Sequence, residues 1–338
     1  MAITLSDVAA KAGVSRSAVS RTFTEGASVS EKTRKKVLKA ATELGYTPNY
    51  IARSLATQRT QLIGVICNNF KNPYLLEIFE LLTSGLQARD LRPLLVNLTG
   101  GTDPEESVDQ LTRYRVDAVI LASSTLPTSF AQAFEKAGLP CIHLFGRAAD
   151  NNNVCVVGIN NEMGGEIAGK SLIEHGYQKP AFLGGPASAT STQDRLKGFE
   201  RGLQNRGHSV AFTHFADNYS FEAGYDAMKT LLADRRDFDA LFCGDDIIAM
   251  GALTAARENG ICVPDELGLL GFNDTEMSRW PGVSVSTIAQ PTEDIVRSAI
   301  ELAQTILADP SRGAEARLYA CKLIERGTLK PISDAKSR

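Results

Sequence analysis

The stretch ITLSDVAAKAGVSRSAVSRTF, residues 3–23, decides how the chain begins to fold. Thr4-Leu5-Ser6-Asp7 is a capping-box start, with Thr4 as N-cap and an acid three residues on. A short helix runs through Lys11-Ala12, and Gly13 supplies a left-handed stop. Ser15 caps a second helix from Arg16 to Phe23. Ala9, Gly13 and Val19 are spaced as two crossing helices require. The alanine lets them approach, the glycine makes the turn and the valine fills the junction. This is a helix-turn-helix pattern. Arg16 and Ser17 lie early on the second helix and Arg21 follows. Arginine can donate two hydrogen bonds to guanine O6 and N7 in a major groove.

Working outward, Ser30 caps a third helix, Glu31 to Leu44, stopped by Gly45. Its apolar stripe is Val37, Leu38, Ala41 and Leu44. Ser30, Lys32 and Thr33 at its start are placed for phosphate contacts. Residues 48–56, PNYIARSLA, form a short helix candidate, too short to be stable alone in water. Residues 1–60 hold ten Lys/Arg and four Asp/Glu; the remainder of the 338 holds 26 and 35. A basic module thus precedes an acidic body, and the asymmetry points to a polyanion partner for the first 60 residues.

This N-terminal pattern, continued by SVSEKTRKKVLKAATELGYTPNYIARSLATQRTQLIGVI, resembles the start of the lactose-repressor (LacI/GalR) family. The resemblance implies a homodimer whose recognition helices read two half-sites of a palindromic operator. It implies DNA contacts from Thr4, Ser15, Arg16, Ser17, Arg21, Ser30, Lys32 and Thr33. It also implies a hinge helix carrying Asn49, Ala52 and Leu55, with the leucine as a wedge that kinks the duplex from the minor groove. The domains expected are a helix-turn-helix over 1–46, a linker and hinge helix over 47–60, and an effector-binding and dimerisation domain over 61–338.

Beyond residue 60, ten short apolar runs alternate with helical patterns: 62–67, 94–98, 117–122, 141–145, 155–160, 181–185, 210–215, 240–244, 267–272 and 285–290. Alternating β and α with β-branched strands argues for parallel sheets in an α/β fold, and ten strands argue for two lobes. Ligands in such folds sit beyond the carboxyl ends of the strands. VVGINNEMGGEIAGKSLIEHGYQKPAFLGG, STQDRLKGF, CGDDIIAMGALTAARENGICVPDELGLLGFND and STIAQP also resemble the family, in the manner of a periplasmic sugar-binding protein. The fold class expected is therefore an all-α helix-turn-helix domain plus a two-lobed, periplasmic-binding-protein-like α/β domain. The resemblance implies three crossings between lobes, giving 61–160 with 291–320, and 161–290 with 321–330.

The cleft residues expected at strand ends run from Asn68 to Leu75, with Tyr74 closing from the first lobe, and include Ser123, Arg147, Asn160, Arg195, Tyr219, Asp245, Asn273 and Gln290. Arg195 matches the family's ligand-contacting arginine, and Tyr219 falls where relatives place a stacking aromatic. Asp245 falls where a hydrogen-bonding Asn or Asp touches the effector. Two departures stand out: Asn160-Asn161 replaces a common Asp-Asn, and Asn273 stands where the lactose repressor has an aspartate. Few carboxylates beside Arg147 and Arg195 suggest an anionic effector, such as a sugar acid.

Other classes find little support. GxGxxG opening a first βα unit, GxxxxGK[ST] and GxSxG are absent. His143, His175, His208 and His214 lack metal-ligand spacing, and no metal or cofactor is expected. Six cysteines stand no closer than 14 residues apart, giving no CxxC pair; buried, reduced thiols are expected. No apolar run approaches a membrane span, and Asp7 and Lys11 interrupt any signal sequence, so a cytoplasmic location is expected. The resemblance implies that a tetramer needs a C-terminal leucine-heptad extension, so with the short polar tail KPISDAKSR a dimer is expected. The leading expectation is a non-enzymatic transcriptional repressor controlled by a small molecule; the alternative is a solute-binding receptor without a DNA role.

Overall fold

A computed structural model describes residues 3–24, 26–47, 59–98, 103–148, 153–234 and 237–332. The chain divides into two compact units, Met1–Thr60 and Gln61–Arg338. Asn49, Ala52 and Leu55 lie outside the described residues.

In the first unit, hydroxyl caps start three helices: α1 (Leu5–Ala12), α2 (Arg16–Thr22) and α3 (Glu31–Leu44). Thr4 and Asp7 form the reciprocal capping box, with Thr4 N donating to Asp7 Oδ2 at 2.8 Å. Gly13 ends α1 in the left-handed region at φ 65°. Val8, Ala9, Val19, Val37, Ala40 and Ala41 make the core, flanked by Leu5, Phe23 and Tyr46. The expected stripe on α3 holds at Val37, Ala41 and Leu44 but not at Leu38, which is 44% exposed, while Ala40 is buried. Two polar ties lock the helices. Arg34 Nη1 donates to the Thr22 carbonyl at 3.1 Å, and Lys11 pairs with Glu43 at 2.9 Å. So Arg34, at the centre of a basic run, braces α2 against α3.

The second unit holds two six-stranded sheets. The first is built from β1 (Leu62–Asn68), β2 (Arg92–Leu98), β3 (Ala118–Ala122), β4 (Cys141–Leu144), β5 (Cys155–Ile159) and β11 (Ala316–Tyr319). Their spatial order is β11-β5-β4-β3-β1-β2, all parallel. The second is built from β6 (Pro180–Gly184), β7 (Thr213–Phe215), β8 (Ala240–Cys243), β9 (Gly268–Asn273), β10 (Ser286–Ala289) and β12 (Lys322–Ile324). Their order is β12-β10-β9-β8-β6-β7, parallel except for β12 against β10. Strands such as β3 and β9 are buried at every residue, as helix-covered parallel strands must be. The ten apolar runs all supply strands, although 210–215 forms only its last three residues. The short β11 alternates exposed and half-buried residues, and the three-residue β12 begins on an exposed lysine, so neither carries a continuous apolar run.

Helices α4 (Pro73–Gln87), α5 (Pro104–Arg113) and α6 (Thr128–Lys136) follow the first-sheet strands. Helices α7 (Asn161–Glu174), α8 (Thr190–Gln204), α9 (Phe221–Ala233) and α10 (Asp246–Glu258) belong to the second lobe. Helix α11 (Thr292–Ala308) returns to the first lobe, where Ile300 packs on Gly85 of α4 and Arg89 bonds Gln304 at 3.1 Å. The chain therefore crosses between lobes after β5, after β10 and between β11 and β12. Cys67, Cys141, Cys155 and Cys243 are buried and free; Cys262 departs from expectation and is exposed.

Candidate functional site

The DNA-facing candidates fall into two groups. Arg16 and Ser17 are exposed at the start of α2, with Arg21 one turn on, its Nε donating to the Ser17 carbonyl at 3.4 Å. Lys32 is exposed at the start of α3. Thr4, Ser15 and Ser30 are N-caps, accepting from Asp7 N, Ala18 N and Thr33 N. The Thr4 hydroxyl also bonds Asp7 Oδ2 at 2.7 Å, and Thr33 Oγ1 accepts from Ser30 Oγ at 2.9 Å. These hydroxyls hold helix starts in place; the unspent donors nearby are backbone N–H groups and the long cations. The bonds from Thr4 hold the Asp7 carboxyl below its ordinary pKa.

Between the lobes lies a cleft with about 510 Å³ of empty space, counted with its open mouth. Sequence and local geometry place each wall. Asn72 caps α4 through Oδ1, which accepts from Tyr74 N at 3.0 Å, and Pro73 occupies the first helical position where no N–H is missed. Tyr74 is buried against Phe145, with ring centroids 5.7 Å apart, and its hydroxyl lies 3.2 Å from Thr292 Oγ1. Burial pushes its phenol well above the ordinary value.

From the second lobe come Asn161, Arg195, Tyr219, Asp245, Asn273 and Gln290. Arg195 is only 4% exposed. Its guanidinium lies 3.6 Å from the centre of the Phe272 ring, donates to Asn161 Oδ1 at 2.9 Å and to the Gly244 carbonyl at 2.5 Å. Close approach of α7 and α8 sets this arrangement: a Cβ on Gly198 would stand 1.9 Å from the Glu162 carbonyl oxygen. Tyr219 is buried and its hydroxyl lies 2.6 Å from Thr192 Oγ1 and 3.2 Å from Ser191 Oγ, which fixes the ring as a wall.

Asp245 is the polar centre. Its Oδ1 accepts from Ile247 N at 2.9 Å, capping α10. Its Oδ2 accepts from Asn72 Nδ2 at 2.8 Å and Asn273 Nδ2 at 2.9 Å. Because the carboxylate can only accept, Asn273 must turn its amide nitrogen inward. Its oxygen then accepts from Gln290 Nε2 at 2.6 Å, and Gln290 Oε1 is left buried without a partner. Burial raises the Asp245 carboxyl against these donors. Neighbouring Asp246, fully buried, is pushed up to about 7 by burial and accepts from Thr287 Oγ1 at 2.6 Å and Thr275 N at 2.8 Å. It fastens the loop after β9.

Of the expected cleft residues, Tyr74, Arg195, Tyr219, Asp245, Asn273 and Gln290 line this space; Ser123, Arg147 and Asn160 do not. The Ser123 carbonyl bonds His143 Nε2 at 2.9 Å, and its hydroxyl accepts from Thr125 N and Leu126 N. Burial pushes His143 down to about 4. Asn160 caps α7 by accepting from Met163 N at 3.1 Å. Its side chain faces a neighbouring depression, while Asn161, the next residue, lines the cleft and accepts from Arg195 Nε. Arg147 lines that depression and pairs with Asp194 at 3.0 and 2.5 Å. The inference of two available arginines therefore fails: one is matched by a carboxylate, and the other lies in the electrostatic reach of Asp245. Phe145, Ile159, Ser124 and Thr125 also line the cleft, and nothing in their local sequence marks them. Among the described residues no group of His, Cys, Asp and Glu could hold a metal, and no helix is long and apolar enough to cross a membrane.

Comparison with known proteins converges on the same two units. Residues 4–49 match the family of bacterial regulatory proteins, lacI family, and residues 170–329 match a periplasmic binding protein-like domain. The HTH-type transcriptional repressor CytR of Escherichia coli (strain K12) is 30% identical over 333 residues, covering 98% of this chain and 97% of its own. The chain belongs to the lacI family. HTH-type transcriptional repressor PurR of Edwardsiella ictaluri (strain 93-146) is 28% identical, over 96% of both chains. Among solved structures, the lac repressor dimer bound to operator and the anti-inducer ONPF superposes with a TM-score of 0.88 at 26% identity, over 98% of this chain and 100% of that one. The complex of transcriptional regulator CelR with cellobiose gives 0.73 at 27%, over 96% and 99%. This lacI-family member is thus a DNA-binding transcriptional repressor with a ligand-binding domain, not an enzyme.

Proposed function

We propose that the chain binds a palindromic operator as a homodimer and that a small polar effector in the interlobe cleft controls this binding. Arg16, Ser17 and Arg21 on α2 supply base choice, and Lys32 and the helix starts meet phosphates. Asn49, Ala52 and Leu55 form the hinge, with Leu55 as the minor-groove wedge. The observation that carries the effector reading is the relay from Asn72 through Asp245 and Asn273 to Gln290, which ends on a buried, unpaired acceptor in the cleft. A buried polar group without a partner costs free energy that a ligand donor can recover.

This relay also bears on charge. Asp245 offsets Arg195, and Gln290 offers an acceptor, so the balance favours a neutral ligand bearing hydroxyl or N–H groups over an anion. The effector shifts DNA affinity only by its differential affinity for the two arrangements of the lobes. The test is titration calorimetry of the full chain against matched neutral sugars and sugar acids, followed by operator binding with each hit. Saturable binding of neutral compounds that changes operator affinity supports the reading; binding of acids alone refutes the neutral preference. A chain that binds ligands but shows no preference for any DNA sequence would instead favour a solute-binding receptor.

A further inference from the structure

Polar contacts join the two lobes directly at several points. Asn69 Nδ2 donates to the Tyr219 carbonyl at 3.0 Å, Asn72 reaches Asp245, and Glu276 N donates to Glu77 Oε1 at 3.0 Å. Ser191 Oγ lies 3.3 Å from the Ser124 carbonyl. One contact differs in kind, because it joins two full charges. Arg147 leaves the first lobe just after β4 and meets Asp194 on α8 of the second. Nε donates to Oδ2 at 3.0 Å and Nη2 to Oδ1 at 2.5 Å, a two-pronged geometry. Nη2 also reaches the Thr190 carbonyl and Gln193 Oε1, each at 3.3 Å.

The backbone before Arg147 is built for this reach. Phe145 adopts φ 64°, a left-handed conformation costly for an aromatic residue. It is held there by its N–H on the Val157 carbonyl at 2.8 Å and by its ring on Tyr74. Gly146 follows, where a Cβ would stand 2.4 Å from the His143 ring. The turn thus carries the chain off the sheet and over a rim that shares Ile159 and Asn161 with the cleft. The Arg147 and Asp194 side chains are 37% and 16% exposed, so water and salt compete for the pair. It is a reversible fastening.

We propose that Arg147 and Asp194 form an interlobe clasp whose charge contact sets the open–closed balance of the cleft. Its consequence for regulation rests on the cleft being the effector site. An effector then works against a balance already weighted by the clasp, and raising salt loosens it. The test reads lobe separation itself, by pulsed EPR on the full chain with spin labels at the exposed Cys262 and at E106C, in a Cys321→Ser background. Arg147→Ala and Asp194→Asn should each raise the open population about five-fold, and the charge swap R147D/D194R should return it toward that of the parent. Unchanged distance distributions in the single variants overturn the proposal. So does opening that the charge swap does not reverse, since the effect would then be lost packing, not charge. No effector or DNA enters the measurement, so a cleft that binds nothing would show in calorimetry and leave this result separate.

Discussion

Asn72, the N-cap of a first-lobe helix, donates across the cleft to Asp245, the N-cap of a second-lobe helix, at 2.8 Å. Each residue uses one side-chain atom to cap its own helix and another to meet its partner. Lobe closure and helix capping are therefore coupled through one pair. Asp245→Asn must turn its NH2 either toward the two amides that Oδ2 accepts from or toward the Ile247 N–H that Oδ1 accepts from, setting donor against donor. The expected result is a loss of about 1–3 kcal/mol in effector binding, measured by calorimetry, from the mispaired buried amides. Unchanged affinity would show that the relay does not organise the site.

Asp246 predicts a pH dependence. Burial raises its carboxyl from 3.8 to about 7, so between those values the folded chain keeps a proton that the unfolded chain has lost. Stability contributed by this group is present at low pH and falls as pH rises, by up to about 1.4 kcal/mol per pH unit, levelling off above the folded value. Denaturant unfolding at pH 5–8 should show this downward slope in the parent and a flatter one in Asp246→Asn. Matching slopes would remove Asp246 as the source.

Gly198→Ala places a methyl group inside contact distance of the Glu162 carbonyl and must push α8 from α7. We expect a destabilisation of roughly 1–3 kcal/mol, together with weaker effector binding because Arg195 and Asn161 ride on those two helices. A thermal melt reads the first effect and calorimetry the second. A melt unchanged from the parent would mean the helices separate freely.

Arg16→Ala and Lys32→Ala should separate base reading from phosphate contact. Loss of Arg16 should cost about 1–3 kcal/mol on the operator and relax preference at one base position. Loss of Lys32 should weaken binding to all sequences alike and lower the slope of log K against log salt by about 1. Fluorescence anisotropy on operator and scrambled duplexes over a salt series measures both.

Leu55→Ala should weaken operator binding roughly ten-fold or more while leaving non-specific binding nearly unchanged, since a wedge acts only where the duplex is kinked. Equal losses on the two duplexes would reduce residues 48–56 to a linker.

Much of this molecule was legible from local sequence. Thr4, Ser15 and Ser30 announce helix starts, Gly13 and Gly45 announce stops, and ten apolar runs announce strands, because caps and strand burial are decided by a few neighbouring residues. β11 and β12 lack a continuous apolar run and become visible only once neighbouring strands pair with them.

The cleft divides in the same way. Strand ends placed Asp245, Asn273 and Gln290 near it, since the carboxyl edge of a parallel sheet is where loops converge. Arg195 is marked only by the family resemblance of STQDRLKGF, and it lies inside α8, not at a strand end. Local pattern could not say that Asn160 would face the neighbouring depression while Asn161 lined the cleft. Nor could it say that Arg147 would find a carboxylate on the opposite lobe. Residues 147 and 194 are far apart in sequence, and residues 72 and 245 farther still. Which charges meet, and which acceptor is left unpaired, depends on how the loops and helix starts of the two lobes come together, and only tertiary packing fixes those distances.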